Sequence, residues 1–151
     1  MTETHRIRNQ LKRAYRGPAW HGPSLTELLA GVTPAQAAAR PLAGVHSIWE
    51  IVLHVTAWRQ EVRRRLDRKY TELQPEQDWP AVPEIAEASW KQTLEALEAS
   101  QQDLLVAISR MEDAQLEEIL PEAKYDYYIL LHGLVQHDLY HAGQIAVLKR
   151  A

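Results

Sequence analysis

Apolar residues recur every three or four positions over several long stretches of the chain, which is the period of an amphipathic helix. The clearest stretch begins at Ser47, which with Glu50 has the S-x-x-E spacing of a capping box. Its apolar positions are Ile51, Val55, Trp58, Val62 and Leu66, whereas Arg59, Arg63, Arg64 and Asp67 fall mostly on other faces. We therefore predict a helix over 47–69 that buries one face.

Three more helical regions follow from the same pattern. The first covers about 3–31 with breaks at Gly17-Pro18 and Gly22-Pro23, and Thr33-Pro34 then begins a short helical turn. A long helix is predicted over 83–111 and a final helix over 126–149. The inward positions are Ile85, Ala88, Leu94, Leu97, Leu104, Leu105 and Ile108 in the former, and Leu130, Leu134, Ile145 and Leu148 in the latter.

The intervening segment 71–83 contains three prolines and has no apolar period, so we expect a loop whose Trp79 packs over one end of the bundle. Four principal helices on short connections predict an all-α fold, a four-helix bundle of roughly antiparallel neighbours. The 151 residues suit a single domain, 1–151.

Composition narrows the possible functions. The 17 basic and 20 acidic residues are dispersed along the chain, so there is no basic patch of the kind that nucleic-acid binding requires. The absence of cysteine excludes disulfides, thiolate metal sites and a cysteine nucleophile. With no signal-like apolar segment and no stretch that could span a membrane, we expect a cytoplasmic protein without a membrane partner.

Two of the seven histidines, His137 and His141, continue the buried stripe of the final helix. Their i, i+4 spacing places them about 6 Å apart along one face, where two ring nitrogens can reach one metal ion. His54 lies inside the apolar stripe of the helix over 47–69. Each histidine alone is more simply a core residue with a hydrogen-bonding partner, but three together favour a divalent metal site with open positions.

The remaining histidines fit such a site less well. His132 is rotated away from the stripe, and His46 is about 12 Å along the axis from His54. His5 and His21 have no partner at ligand spacing. No further carboxylate is expected on either histidine-bearing stripe, which favours one mononuclear site over a binuclear carboxylate bundle.

The segments SIWEIVLHVTAWR and HDLYHAGQI, with DWP between them, resemble the DinB-like (damage-inducible protein, YfiT-like) superfamily of metal-binding four-helix bundles. The resemblance covers nearly the whole chain and implies that His54, His137 and His141 bind a divalent metal, usually nickel or zinc. It also implies a homodimer and relatives that include thiol-dependent S-transferases and a maleylpyruvate isomerase. Asp138 stands where relatives often carry Glu.

Two classes of function stay open at this stage. The first is a metal-dependent enzyme acting on a small molecule, either a transferase using a low-molecular-weight thiol or a hydrolase; the second is a non-catalytic metal- or ligand-binding bundle in stress response. A pocket opening at the metal favours the first. Gln144 is placed either to orient a ligand or to pack between helices, and Trp58 either walls a pocket or belongs to the core. Glu50 is explained by the capping box, so we assign no general base.

Overall fold

The chain folds into helices joined by loops, as the computed structural model of residues 1–121 and 123–151 shows. The α-helices of this described part are α1 (Glu3–Arg16), α2 (Leu25–Leu29), α3 (Pro34–Ala38), α4 (Ile48–Leu66), α5 (Pro75–Asp78), α6 (Glu87–Ile108) and α7 (Tyr127–Leu148). A 3-10 helix covers Asp113–Glu117. The all-α prediction is confirmed.

Side-chain caps set several of the helix starts. At α4, the Ser47 N–H donates to the Glu50 carboxylate at 2.7 Å, and the Glu50 N–H donates to Ser47 Oγ at 3.2 Å, which is the predicted capping box. Thr33 caps α3 just before Pro34, also as predicted. At α7 the Asp126 side chain accepts from the Ile129 N–H. The two helices that carry the histidines therefore begin at capping residues.

The four long helices form a ring in the order α1, α7, α4, α6. Contacts between Arg65 and Tyr125 and between His54 and His137 make α4 and α7 antiparallel. In contrast, α4 and α6 run parallel, since Trp49 contacts Thr93 and Arg63 contacts Asp103. The expectation of antiparallel neighbours on short connections is thus wrong for this pair, because the connection 67–86 returns the chain to the end where α4 began.

The start of α6 also differs from the prediction. The helix begins at Glu87, and the two expected core residues Ile85 and Ala88 are exposed, Ile85 by 60%. Residues 81–86 are not helical, so a spacing of three residues does not place side chains on a common face there. The first inward residue is instead Trp90, whose indole N–H donates to the Val32 carbonyl at 2.9 Å.

The core consists of two apolar clusters. One gathers around Trp49 and Trp90, and the other around Leu104 and Leu131. Buried polar side chains, Arg59, Gln101 and Asp138, belong to neither cluster. Among residues 1–121 and 123–151, no helix is long and apolar enough to cross a membrane.

Candidate metal centre

The three predicted histidines meet between α4 and α7. His54 and His141 are buried and His137 is half-buried. One ring nitrogen from each lies within 4.8 Å of the other two. The shortest separation is 3.1 Å, between the Nε2 atoms of His54 and His137. The antiparallel arrangement of the two helices thus brings together residues that are 83 positions apart in sequence.

Two of the rings have their second nitrogen hydrogen-bonded. His54 Nδ1 donates to the backbone carbonyl of Asp78 at 2.7 Å, with the Asp78 carboxylate 3.1 Å away. His141 Nδ1 donates to Gln144 Oε1 at 2.6 Å, so Gln144 orients a histidine. Because a carbonyl oxygen only accepts, these bonds fix the proton on Nδ1 and leave each Nε2 with a free lone pair. Hydrogen-bonded second nitrogens of this kind are typical of metal-binding histidines.

Trp79 covers this group of histidines. Its ring stacks on His54 with centroids 3.9 Å apart and on the other side against His46 at 3.7 Å. The loop is held in place by Asp78, whose carboxylate accepts from the Trp58 indole N–H at 2.7 Å. Trp79 therefore packs on the bundle as expected, but its position is over His54.

Burial keeps the three imidazoles neutral. Desolvation lowers the pKa of His54 and of His141, and the hydrogen bonds that these rings donate to Asp78 and Gln144 partly oppose this. The pKa of His137 is lowered further, to about 3, by desolvation and then by the nearby His141, His54 and Arg59. Neutral rings are the form that binds metal ions.

The residues present fit a divalent metal ion. Two nitrogens bound to one ion at about 2.0 to 2.1 Å lie roughly 3.0 to 3.4 Å apart, and His54 and His137 are at 3.1 Å. Without a cation, two lone pairs at this distance repel unless one Nε2 carries the proton. His137 Nδ1 is buried and has no hydrogen-bonding partner among the described residues. The cluster is compatible with a divalent metal site, and the ion would be held by the three Nε2 atoms.

An ion pair inside the bundle joins the two histidine-bearing helices beside this centre. Arg59 of α4 donates through Nη2 to Asp138 Oδ2 at 2.6 Å, and both side chains are fully buried. Arg59 also lies 4.8 Å from the centre of the Tyr15 ring. Burial raises the pKa of the Asp138 carboxyl, and the Arg59 guanidinium opposes that rise. On α4, Arg59 lies five residues after His54, and on α7, Asp138 directly follows His137. The ion pair therefore joins the two helices next to the histidines.

A cavity of about 430 Å³ adjoins the histidines between α4 and α7. His54 and His137 line one part of it. The other lining residues are Trp58, Val62, Asp78, Tyr125, Ile129, Leu130, Gly133 and Leu134. Most of these side chains are apolar, as is typical of small-molecule sites. Trp58 is half-buried and forms a wall of this cavity.

Comparison with known proteins agrees with this architecture. A family model described as the DinB superfamily matches residues 19–145, which is most of the chain. The chain belongs to the DinB superfamily. Searches of curated proteins and of solved structures found no match.

Membership of the DinB superfamily confirms the resemblance found in the sequence. The structure also shows which predictions about the site were incomplete. Arg59 was placed off the apolar face but is fully buried, and Asp138 and Glu61 are buried carboxylates, although no further carboxylate was expected on the histidine-bearing stripes. Each buried charge has an opposite partner, Arg59 with Asp138 and Glu61 with Arg65. Because both carboxylates are already paired, neither adds a ligand for a second ion.

In this DinB-superfamily chain, the sequence spacing of Arg59 and Asp138 indicates that both side chains lie on the buried faces of their helices. Arg59 follows Val55 by four residues and precedes Val62 by three, and Asp138 follows Leu134 by four and precedes Ile145 by seven, all of which are helical spacings. No sequence spacing indicates the role of Asp78, because the position of this residue depends on the path of the chain between α4 and α6. His132 lies apart from the three, beside Tyr128 and 3.6 Å from Glu3.

Proposed function

We propose that this protein is a metal-dependent enzyme with one divalent ion per chain, held by His54, His137 and His141, and that it acts on a small molecule in the adjoining cavity. The observation that carries the proposal is that two of the three histidines line an apolar cavity of about 430 Å³. A purely structural metal site is closed by protein ligands, whereas a catalytic one keeps a position open to substrate.

Imidazole donors suit nickel and zinc, which are the two ions we expect. When bound, the ion would act as a Lewis acid and lower the pKa of a coordinated thiol or water. The chain's own residues orient and shield this site: Asp78 and Gln144 hold the rings of His54 and His141, and Trp79 covers His54.

Two reaction types suit such a site, transfer to or from a low-molecular-weight thiol and hydrolysis. The chain contains no cysteine, so any thiol chemistry needs a thiol cosubstrate. Among the described residues that line the cavity, the one carboxylate is that of Asp78. It already accepts from Trp58 and lies beside His54, so its role in this proposal is to position His54.

The test combines metal analysis with activity screening. Protein loaded with nickel or zinc is assayed for transfer of small thiols to electrophilic acceptors and for ester hydrolysis, alongside His137→Ala and Gly133→Leu. Gly133 lines the cavity, and a Cβ added there meets no atom within 4 Å, so there is room for the side chain to begin. We expect His137→Ala to lose metal and activity, and Gly133→Leu to lose activity but keep the metal.

Gly143→Leu is the matched control, because Gly143 is also a helical glycine of α7 with open space around it but does not line this cavity. It should retain both metal and activity. Stoichiometric metal without turnover in either assay would favour the non-catalytic metal-binding function. Full metal content in His137→Ala would overturn the site itself.

A further inference from the structure

The cavity beside the histidines has two chemically different ends. His54, His137 and the Asp78 carboxylate lie at one end. Val62 follows His54 by eight residues on α4, which carries the wall about 12 Å along the helix axis. At that far end the cavity is lined by Tyr125, just before α7 begins. The walls between the two ends are apolar side chains.

Tyr125 is held firmly in its position. Its hydroxyl oxygen accepts from Arg65 Nη1 at 2.8 Å, and Arg65 Nε donates in turn to the buried Glu61 at 2.8 Å. The Tyr125 carbonyl accepts from the Leu120 N–H at 3.1 Å. The Arg65 guanidinium also lies over the Tyr70 ring. Both the backbone and the hydroxyl of Tyr125 are therefore fixed.

The hydroxyl proton of Tyr125 is available to a ligand. Since a guanidinium only donates, Tyr125 acts as acceptor toward Arg65 and its own proton must point elsewhere. Within the part of the chain that the structure describes, no residue accepts this proton. A hydroxyl that accepts from a cation becomes a stronger donor, because hydrogen bonds in a chain polarise one another.

The charges around the two ends favour one orientation of an acidic ligand. Glu61 is shared by Arg64 and Arg65, at 2.6 and 2.8 Å, so these three residues together carry a formal charge of +1 beside Tyr125. The opposite end carries the Asp78 carboxylate. A ligand carboxylate is thus attracted to the end at Tyr125 and repelled from the end at Asp78 unless a cation is present there.

We infer that Tyr125, backed by Arg65 and Glu61, is a binding subsite for a carboxylate oxygen of an elongated apolar substrate, whose other end reaches the histidines. This subsite deepens the proposed function, on which it rests, by giving the substrate class: a molecule with an apolar body and a carboxylate about 12 Å from the group at the histidines.

The test uses two probes of equal length, 6-phenylhexanoate and 6-phenylhexylamine, titrated calorimetrically into the full chain with its metal and after chelation. In the chelated protein, where no cation attracts a carboxylate to the histidine end, the acid should bind more tightly than the amine. Tyr125→Phe should weaken binding of the acid by about 10- to 100-fold, the value of one hydrogen bond to a charged group, and change that of the amine little.

Tyr127→Phe is the matched control. It removes a hydroxyl that donates to the Arg65 carbonyl at 3.0 Å, but Tyr127 does not line the cavity. Acid binding in this variant should stay at the wild-type level. In the chelated protein, equal loss in both variants, an acid preference that persists in Tyr125→Phe, or no binding of the acid below about 1 mM would each overturn the subsite. The proposed function fails separately, by absence of metal or turnover, because the probes are also compared in metal-free protein.

Discussion

The buried ion pair between Arg59 and Asp138 makes a strong prediction about stability. Both side chains are fully buried, and the 2.6 Å contact is the direct bond between them. Nε and Nη1 of Arg59 already have no partner among the described residues. Asp138→Asn keeps the shape of the side chain but removes its charge, so the guanidinium is left buried without an opposite charge.

We expect Asp138→Asn to lower the free energy of unfolding by about 3 to 5 kcal/mol, the usual cost of leaving one member of a buried pair alone. For a chain of this size, each kcal/mol of lost unfolding free energy lowers the melting temperature by roughly 2 to 4 °C. The melting temperature of Asp138→Asn should therefore fall by about 10 °C. The assay is urea denaturation at pH 7 with excess chelator, so that metal binding makes no contribution.

Two variants complete this experiment. Removing both charges in Arg59→Met with Asp138→Leu should cost less than Asp138→Asn alone, since buried pairs replaced by apolar residues are often neutral in stability. Asp67→Asn breaks the solvent-exposed pair with Arg63 and should cost much less than Asp138→Asn. A loss below about 1 kcal/mol in Asp138→Asn, or a double variant weaker than the single one, would refute the reasoning.

Three further predictions concern the metal, pH and assembly. A divalent ion at about 100 times its dissociation constant should stabilise the fold by about 2.7 kcal/mol in thermal melts, an effect absent in His137→Ala and intact in His132→Ala. In metal-free protein the unfolded state takes up a proton at His137 below pH 6.5, whereas the folded state, with a pKa of about 3, does not. Stability should therefore fall between pH 7 and 5, by about 2 kcal/mol from His137 alone, and a flat urea profile would contradict this. We expect a homodimer by light scattering, since the Trp20 side chain is fully exposed and Tyr140 is 66% exposed. A monomer at high micromolar concentration would count against it.

Most of the architecture was predictable because it depends on local signals. The capping box at Ser47 and the apolar stripe of α7 predicted the two helices that carry the histidines. The spacing of the residues placed His54 on the buried face of α4, and His137 and His141 on the buried face of α7. The pattern did not predict the direction of α6 relative to α4, because helix direction depends on how far the connecting chain travels.

The surroundings of the histidines were harder to predict for a different reason. Asp78 ends the short helix α5 and Trp79 follows it, inside the segment 71–83 that was predicted to be a loop, where no periodicity indicates which side chain faces the bundle. Tyr125 likewise lines the cavity and contacts Arg65, which is sixty residues away in sequence. Long-range contacts of this kind are made by tertiary packing and leave no mark on local spacing.

The hydrogen bond from His54 to residue 78 has a consequence for how this protein tolerates mutation. The acceptor at 2.7 Å is a backbone carbonyl, which every amino acid supplies. Substitutions at position 78 alter the carboxylate contact with Trp58 but leave that carbonyl in the chain. Insertions or deletions between 67 and 78 displace it. The hydrogen bond to His54 therefore depends on the length of this segment, whereas the contact with Trp58 depends on which residue stands at position 78.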